Sequence, residues 1–153
     1  MPVSGYFTLF IIMKNLFENN GIISDNILHL SPKEVFELCQ KGAVLVDVRE
    51  EFMIGYKKFE VPIVIYLPLT ELKTNFDKLP INKYIIFADA AGLRSKEAAT
   101  FLVNKEFKNI ANMAGGLVEW ERDKLPLKTN NKEKLTGSCV CQLKPRNKKQ
   151  SNL

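Results

Sequence analysis

The sequence contains few of the residues that build disulfide frameworks and histidine-rich metal centres. It has three cysteines and one histidine among 153 residues. Three cysteines are too few, and an odd number, for a disulfide scaffold, so the composition favours a reducing compartment and predicts a cytoplasmic protein. The single histidine, His29, has no second histidine or cluster of carboxylates near it in the sequence. We therefore expect neither a metal centre nor a cofactor.

Long hydrophobic runs are scarce as well. An apolar stretch lies within residues 1–13, but it is shorter than the roughly 20 apolar residues that a membrane-spanning helix requires. No positive charge precedes the stretch and no small-residue cleavage site follows it, so it lacks the marks of a secretory signal. We interpret it as neither an anchor nor a signal, and we assign residues 1–26 to an N-terminal extension.

Acidic residues are almost absent from the last 26 residues. This segment holds seven of the 22 Lys and Arg residues but only one of the 17 Asp and Glu residues, Glu133. The net charge of +5 therefore belongs to the tail and not to the rest of the chain. Such a tail can bind nucleic acid or an anionic membrane, or it can simply keep the chain end solvated. We assign residues 128–153 to a basic, flexible tail that adds little to a hydrophobic core, and we find no strong evidence for nucleic acid or membrane as a partner.

The middle of the chain alternates strand patterns with helix patterns. Short apolar runs typical of buried parallel strands occur at residues 27–30, 43–47, 62–67, 84–88 and 109–113. Helical spacing occurs at residues 31–41, 70–79, 95–107 and 117–125. The first of these helices has a complete start signal, with Ser31 as N-cap, Pro32 in the first turn and Glu34 completing a capping box. The alternation predicts one α/β domain over residues 27–127, with a mostly parallel sheet.

The segment most typical of a ligand site follows the predicted strand at residues 84–88. Ligands of open α/β sheets bind outside the carboxyl ends of the strands. Small residues and one glycine allow the backbone amides of this loop to point inward, beside the N-terminus of the next helix. An ordinary strand-to-helix connection would show many of the same features. The predicted anion-binding loop consists of Asp89, Ala90, Ala91, Gly92, Leu93, Arg94 and Ser95.

Four motifs of the predicted domain resemble signatures of the rhodanese-like sulfurtransferase family. They are the helix entry at residues 31–34, the Asp-Val-Arg segment at residues 46–50, the Gly-x-Arg-Ser segment at residues 92–95, and the Gly-Gly…Trp…Leu-Pro segment at residues 113–126. The resemblance extends over residues 27–127. It implies a five-stranded, mostly parallel sheet with helices on both faces, and sulfur transfer through a persulfide.

One position departs from the family pattern. The resemblance implies a sulfur-carrying cysteine three residues before the loop glycine, and Asp89 stands there. A carboxylate cannot form a persulfide, so we expect no catalysis by the loop. We expect instead that the domain binds an anion or a sulfur species, or that it serves as a regulatory module. We expect Asp89 to accept hydrogen bonds from the loop amides, to pair with Arg94 and to repel thiosulfate. Asp47 and Arg49 are expected to pair as supports behind the loop.

The cysteines offer an alternative route for sulfur. Cys139 and Cys141 lie in the tail near Lys144 and Arg146, whose charges would lower the pKa of a thiol. They are candidate sulfur carriers that would exchange with a sulfane-sulfur donor or acceptor protein, or they are incidental thiols. Cys39 is expected to be a small core residue of the first helix. A further alternative is an adaptor whose basic tail binds nucleic acid or membrane.

Overall fold

The computed structural model describes residues 15–130. Within this range, the main sheet has the strand order β1-β2-β7-β6-β3-β5, and a separate two-stranded ribbon joins β4 to β8. The strands are β1 (Ile22–Ser24), β2 (Ile27–Leu30), β3 (Val44–Asp47), β4 (Lys57–Phe59), β5 (Val64–Tyr66), β6 (Ile85–Ala88), β7 (Ile110–Met113) and β8 (Leu127–Thr129). The helices are α1 (Pro32–Gln40), α2 (Glu51–Ile54), α3 (Leu69–Asn75), α4 (Leu93–Val103) and α5 (Gly116–Arg122), and a 3₁₀ turn (Phe76–Lys78) follows α3.

In the main sheet, five neighbouring strands run parallel, as the alternating pattern predicts: β2, β7, β6, β3 and β5. Two clusters of buried side chains cover its two faces. α1 and α5 contribute to one cluster, and α3 and α4 to the other. Both β3 and β6 are buried along their whole length, which explains their continuous apolar sequences. The α/β fold with helices on both faces is therefore confirmed.

The sheet has one strand more than the five that were predicted. β1 pairs antiparallel with β2, with Ile22 opposite His29. All three residues of β1 are exposed, so no pattern of burial marks the strand in the sequence. Just before it, Phe17 is buried and packs edge-on against Tyr84, with ring centroids 4.9 Å apart. The segment assigned to an N-terminal extension thus joins the domain from residue 15 onward.

The start of α1 has the predicted capping box. The Ser31 backbone N–H donates to Glu34 Oε2 at 2.8 Å, and the Glu34 backbone N–H donates to Ser31 Oγ at 3.4 Å. The second carboxylate oxygen, Oε1, accepts the backbone N–H of Gly21 at 2.9 Å. Burial acts to raise the pKa of Glu34, but these hydrogen bonds from Gly21 and Ser31 outweigh it and hold the pKa below its usual value. Glu34 therefore joins the helix start to the turn before β1.

The C-terminal ribbon extends beyond the predicted end of the domain at Leu127. β8 pairs antiparallel with β4, so that Lys128 lies opposite Lys58 and Thr129 lies opposite Lys57. The preceding turn is fixed by the Trp120 indole N–H, which donates to the Pro126 carbonyl at 3.0 Å. The remaining tail, including Cys139 and Cys141, lies outside the described residues. Among residues 15–130, no helix has both the length and the apolar character needed to cross a membrane.

Candidate functional site

Three loops meet at the carboxyl edge of the sheet because β3, β6 and β7 are parallel neighbours. The segment after β3 carries Arg49, the segment after β6 is the predicted anion-binding loop, and the segment after β7 is a Gly-Gly turn. This is the edge at which open α/β sheets bind their ligands. The structure thus brings the candidate site residues of the domain to one side of the molecule.

The Asp89 carboxylate fills the interior of the loop. Oδ1 accepts the Gly92 backbone N–H at 2.5 Å and the Ser95 hydroxyl at 3.0 Å. Oδ2 accepts the Arg94 backbone N–H at 3.0 Å. Only 3% of Asp89 is exposed. The loop and the first turn of α4 therefore surround a negative charge that belongs to the protein itself, with donors at the positive end of the helix dipole.

Arg94 contacts Asp89 differently from the prediction. Its backbone amide binds the carboxylate, but within residues 15–130 its guanidinium forms no ion pair with Asp89 or any other carboxylate. The expected ion pair is wrong because residue 94 lies in the first turn of α4, where its N–H faces the loop and its side chain is exposed. Leu93 beside it is 78% exposed. The rim of the loop therefore presents a guanidinium and an apolar side chain to solvent.

The Gly-Gly turn before α5 holds the backbone of the loop. The Leu117 N–H donates to the Asp89 carbonyl at 2.9 Å, and the Val118 N–H donates to the Ala90 carbonyl at 3.2 Å. Gly116 has φ +57°, and a Cβ at this position would lie 2.6 Å from the Asp89 carbonyl oxygen and from backbone atoms of Ala90 and Ala91. A side chain at residue 116 would therefore push the loop away from α5. This contact gives a physical reason for the Gly-Gly motif.

Asn112 of β7 is a site neighbour that sequence reasoning missed. Its Nδ2 donates to the Gly92 carbonyl at 3.4 Å and lies 3.1 Å from His29 Nδ1 on the adjacent strand. The side-chain Oδ1 is buried and has no hydrogen-bond partner among residues 15–130. A polar residue in the middle of an otherwise apolar strand is the signal that could have found it. Asn112 therefore connects the loop, at the Gly92 carbonyl, to His29 of β2. The ring of His29 contacts the side-chain amide of Asn112.

Asp47 and Arg49 form an ion pair. Arg49 Nε donates to Asp47 Oδ1 at 3.0 Å, and Arg49 Nη2 donates to Asp47 Oδ2 at 2.7 Å. Arg49 Nη2 also donates to the Lys57 carbonyl at 2.7 Å, and both side chains of the pair are buried. The pair therefore connects the end of β3 to β4 and is not open to a ligand.

Cys39 is remote from this chemistry. It is fully buried among the apolar side chains of the cluster under α1 and α5, and burial raises the pKa of its thiol to about 12. A thiol in this state is a poor nucleophile. In the part of the chain that the structure describes, no three His, Cys, Asp or Glu side chains are grouped to hold a metal ion.

Comparison with known proteins points to one family. A family model described as "Rhodanese-like domain" matches residues 31–123. The chain is 34% identical over 104 residues to the thiosulfate sulfurtransferase GlpE of Haemophilus influenzae, a match that covers 65% of this chain and 93% of that protein. It is 30% identical over 141 residues to rhodanese-like domain-containing protein 17 of Arabidopsis thaliana, covering 84% of this chain and 90% of that protein.

A solved structure shows the same fold. The crystal structure of a rhodanese-related protein from Thermoplasma volcanium superimposes with a TM-score of 0.60 and 25% sequence identity. The match covers 67% of this chain and 98% of that chain. The similarity thus spans the α/β domain.

Proposed function

The chain belongs to the rhodanese-like domain family, and we propose that it is a member that binds an anionic sulfur compound without forming a persulfide in its loop. Relatives of this chain are named thiosulfate sulfurtransferases, so thiosulfate is the first compound to consider. The proposal concerns the loop at residues 89–95, where the family resemblance implies a sulfur-carrying cysteine.

A single observation carries the proposal. The Asp89 carboxylate accepts hydrogen bonds from Gly92, Arg94 and Ser95, which are the donors that a thiolate or a bound anion would otherwise use. A carboxylate has no sulfur and cannot take a sulfur atom from a donor. Its buried charge also opposes the entry of a second anion into the loop. The loop therefore has the surroundings for sulfur transfer but lacks the nucleophile.

The rim of the loop remains suited to an anion. The Arg94 guanidinium is exposed and forms no ion pair within the described part of the chain. Leu93 and Val118 are exposed and add apolar surface near the loop. Arginine binds oxyanions through two parallel N–H donors, which matches the geometry of thiosulfate and of a carboxylate-bearing persulfide. We infer that the ligand binds at Arg94, outside the loop that Asp89 fills.

The test combines binding with a search for bound sulfur. We expect calorimetry to detect weak thiosulfate binding that Arg94→Ala abolishes. The control is Arg122→Ala, which removes an exposed arginine of α5 that pairs with Glu119 and should leave binding unchanged. Binding that survives Arg94→Ala would contradict the proposed site.

Mass spectrometry after exposure to a sulfane-sulfur donor tests the absence of loop catalysis. We expect no sulfur on residues 15–130 and negligible thiosulfate:cyanide turnover. A gain of one sulfur atom on Cys139 or Cys141 would favour the alternative sulfurtransferase with a carrier in the tail. Turnover that survives replacement of all three cysteines would contradict both readings.

A further inference from the structure

A groove lies beside α2, near the carboxyl ends of β3 and β5. Its wider part has a volume of about 450 Å³, and its narrower part has a volume of about 240 Å³. Gly55 and Lys58 line both parts, and we call the two adjoining parts together the α2 groove. The wider part is lined by Glu51, Ile54, Gly55, Lys58, Tyr66, Pro68 and Glu71.

The described chain ends inside the narrower part of this groove. Lys128, Thr129 and Asn130 line it, and the Asn130 N–H donates to the Tyr56 carbonyl at 3.0 Å. Because β8 runs antiparallel to β4, each residue further along β8 lies opposite an earlier residue of β4. The described chain therefore ends opposite Tyr56, next to Gly55, where α2 ends and the wider part of the groove begins.

The chemistry of the groove matches the segment that follows. The groove carries two exposed carboxylates, Glu51 and Glu71, together with apolar surface from Pro68 and Tyr66. The segment 131–136 contains two lysines, one glutamate and one leucine. The lysines complement the two carboxylates, and the glutamate complements Lys58, whose Nζ lies 5.8 Å from the centre of the Tyr66 ring.

We propose that residues 131–136 bind the α2 groove and thereby bring the Cys139-Val-Cys141 segment to the edge of the sheet that carries the Asp89 loop. Glu51 is the first residue of α2, four residues after the end of β3, and β3 is the neighbour of β6 in the sheet. Adjacent strands lie about 4.8 Å apart. Cys139 is three residues beyond position 136, and three residues of extended chain span roughly 10–11 Å, which is more than the spacing to the neighbouring strand end. The inference goes beyond the proposed function, because groove binding needs no anion at Arg94.

Disulfide trapping in the full-length chain tests the contact. In a background with Cys139→Ser and Cys141→Ser, Thr136→Cys is combined with Tyr66→Cys inside the groove. The matched control combines Thr136→Cys with Ile63→Cys. Tyr66 and Ile63 have similar exposure, 44% and 42%; Tyr66 ends β5, and Ile63 immediately precedes it. Under mild oxidation, we expect the intramolecular disulfide to form about tenfold faster at residue 66 than at residue 63, because binding raises the local concentration of the thiol.

Charge variants distinguish binding of residues 131–136 in the α2 groove from chance encounters between the tail and the groove. Lys132→Glu should remove most of the preference for residue 66, and so should high salt, because exposed ion pairs are screened. Lys148→Glu, further along the same tail, should leave the preference unchanged. Equal rates at residues 63 and 66, or a preference that ignores Lys132→Glu, would overturn the proposal. Asp89→Ala should not alter the trapping rates, so the outcome is independent of whether the loop recognises an anion.

Discussion

Gly92 donates its backbone N–H to Asp89 Oδ1 at 2.5 Å, within the same turn of the loop. The donor and the acceptor are three residues apart, and the carboxylate occupies the space beside the loop donors that a bound anion would need. The identity of residue 89 therefore decides what the loop contains. A carboxylate at this position accepts the hydrogen bonds of the loop donors. A thiol would make the loop reactive, and a small side chain would leave these donors without an acceptor.

Asp89→Cys should produce a reactive thiol. The backbone N–H groups of Gly92 and Arg94 and the hydroxyl of Ser95 would then surround a thiolate beside the N-terminus of α4. Such surroundings lower a cysteine pKa from about 8.5 into the range of roughly 3.5–7.5. We expect rapid alkylation near neutral pH and at least weak thiosulfate:cyanide turnover, measured against the wild type. A thiol at residue 89 that titrates like free cysteine would show that these donors do not stabilise a charge.

Asp89→Ala should make the stability of the protein depend on added anions. The substitution leaves buried donors of Gly92 and Arg94 without their acceptor, which costs about 1–3 kcal/mol of unfolding free energy. Thiosulfate or sulfate could then enter the loop and restore part of this loss by binding the native state. Thermal unfolding at increasing anion concentration measures the effect. The wild type should show a much smaller response, and an equal response in both proteins would contradict the idea that Asp89 blocks the loop.

Gly116→Ala should destabilise the protein more than Gly42→Ala does. Both glycines have positive φ values, +57° and +106°, so both variants carry a backbone penalty of about 1–2 kcal/mol. Only at residue 116 would the new Cβ meet backbone atoms at 2.6 Å, whereas nothing lies within 4 Å at residue 42. We expect a further loss of about 1–3 kcal/mol from this collision. Chemical denaturation of the two variants measures the difference in unfolding free energy. Equal losses of unfolding free energy would mean that the loop backbone moves aside at little cost.

Glu34→Gln should make the protein less sensitive to acid. Since the pKa of Glu34 is lowered in the folded state, its stabilising effect is present above the pKa of an unfolded glutamate. The effect is lost as the pH falls through the folded pKa. The variant should lose about 1 kcal/mol at neutral pH, the usual value of a helix cap, and little more on acidification. Glu37→Gln, an exposed position on the same helix, serves as the control in denaturation at several pH values.

Two truncations should differ in stability. Removal of residues 131–153 should lower the melting temperature only slightly, because exposed ion pairs in the α2 groove contribute about 0–1 kcal/mol. Removal of residues 128–153 also deletes Lys128 and Thr129 from the ribbon with β4, and each backbone hydrogen bond lost costs about 0.5–1.5 kcal/mol. Thermal unfolding compares the two chains. Equal melting temperatures would support the boundary at Leu127 that the sequence predicts.

The parts of the fold that follow from the sequence are those with a strong local or burial signal. The capping box of Ser31 and Glu34 marks the start of α1, and the apolar runs mark the five parallel strands. β1, β4 and β8 are each three residues long, and each has at least one exposed residue. They exist because of pairing with another segment and have no periodicity of their own. The four-residue helix α2 is likewise too short for a helical pattern.

The candidate site was predictable in position but not in all its contacts. The loop after β6 and the inward direction of its amides follow from a strand, a glycine and a helix start. The geometry of Arg94 does not follow, because its backbone and side chain point to different sides of the first helical turn. Asn112 was hidden for another reason, since its partners Gly92 and His29 are remote in sequence and meet it only through the order of the strands.

The position of β7 between β2 and β6 has a consequence for the order of folding. Among the described strands, the hairpin of β1 and β2 is synthesised before the others, yet within the main sheet it is joined to them only through β7, the last strand of that sheet in the described sequence. Ile27 and Leu30 of β2 are buried in the native state, so a growing chain exposes them until β7 is available. Pairing between such distant segments is slow. We expect the hairpin to join the sheet late in folding and to be the first part of the sheet to exchange its amide protons during local opening.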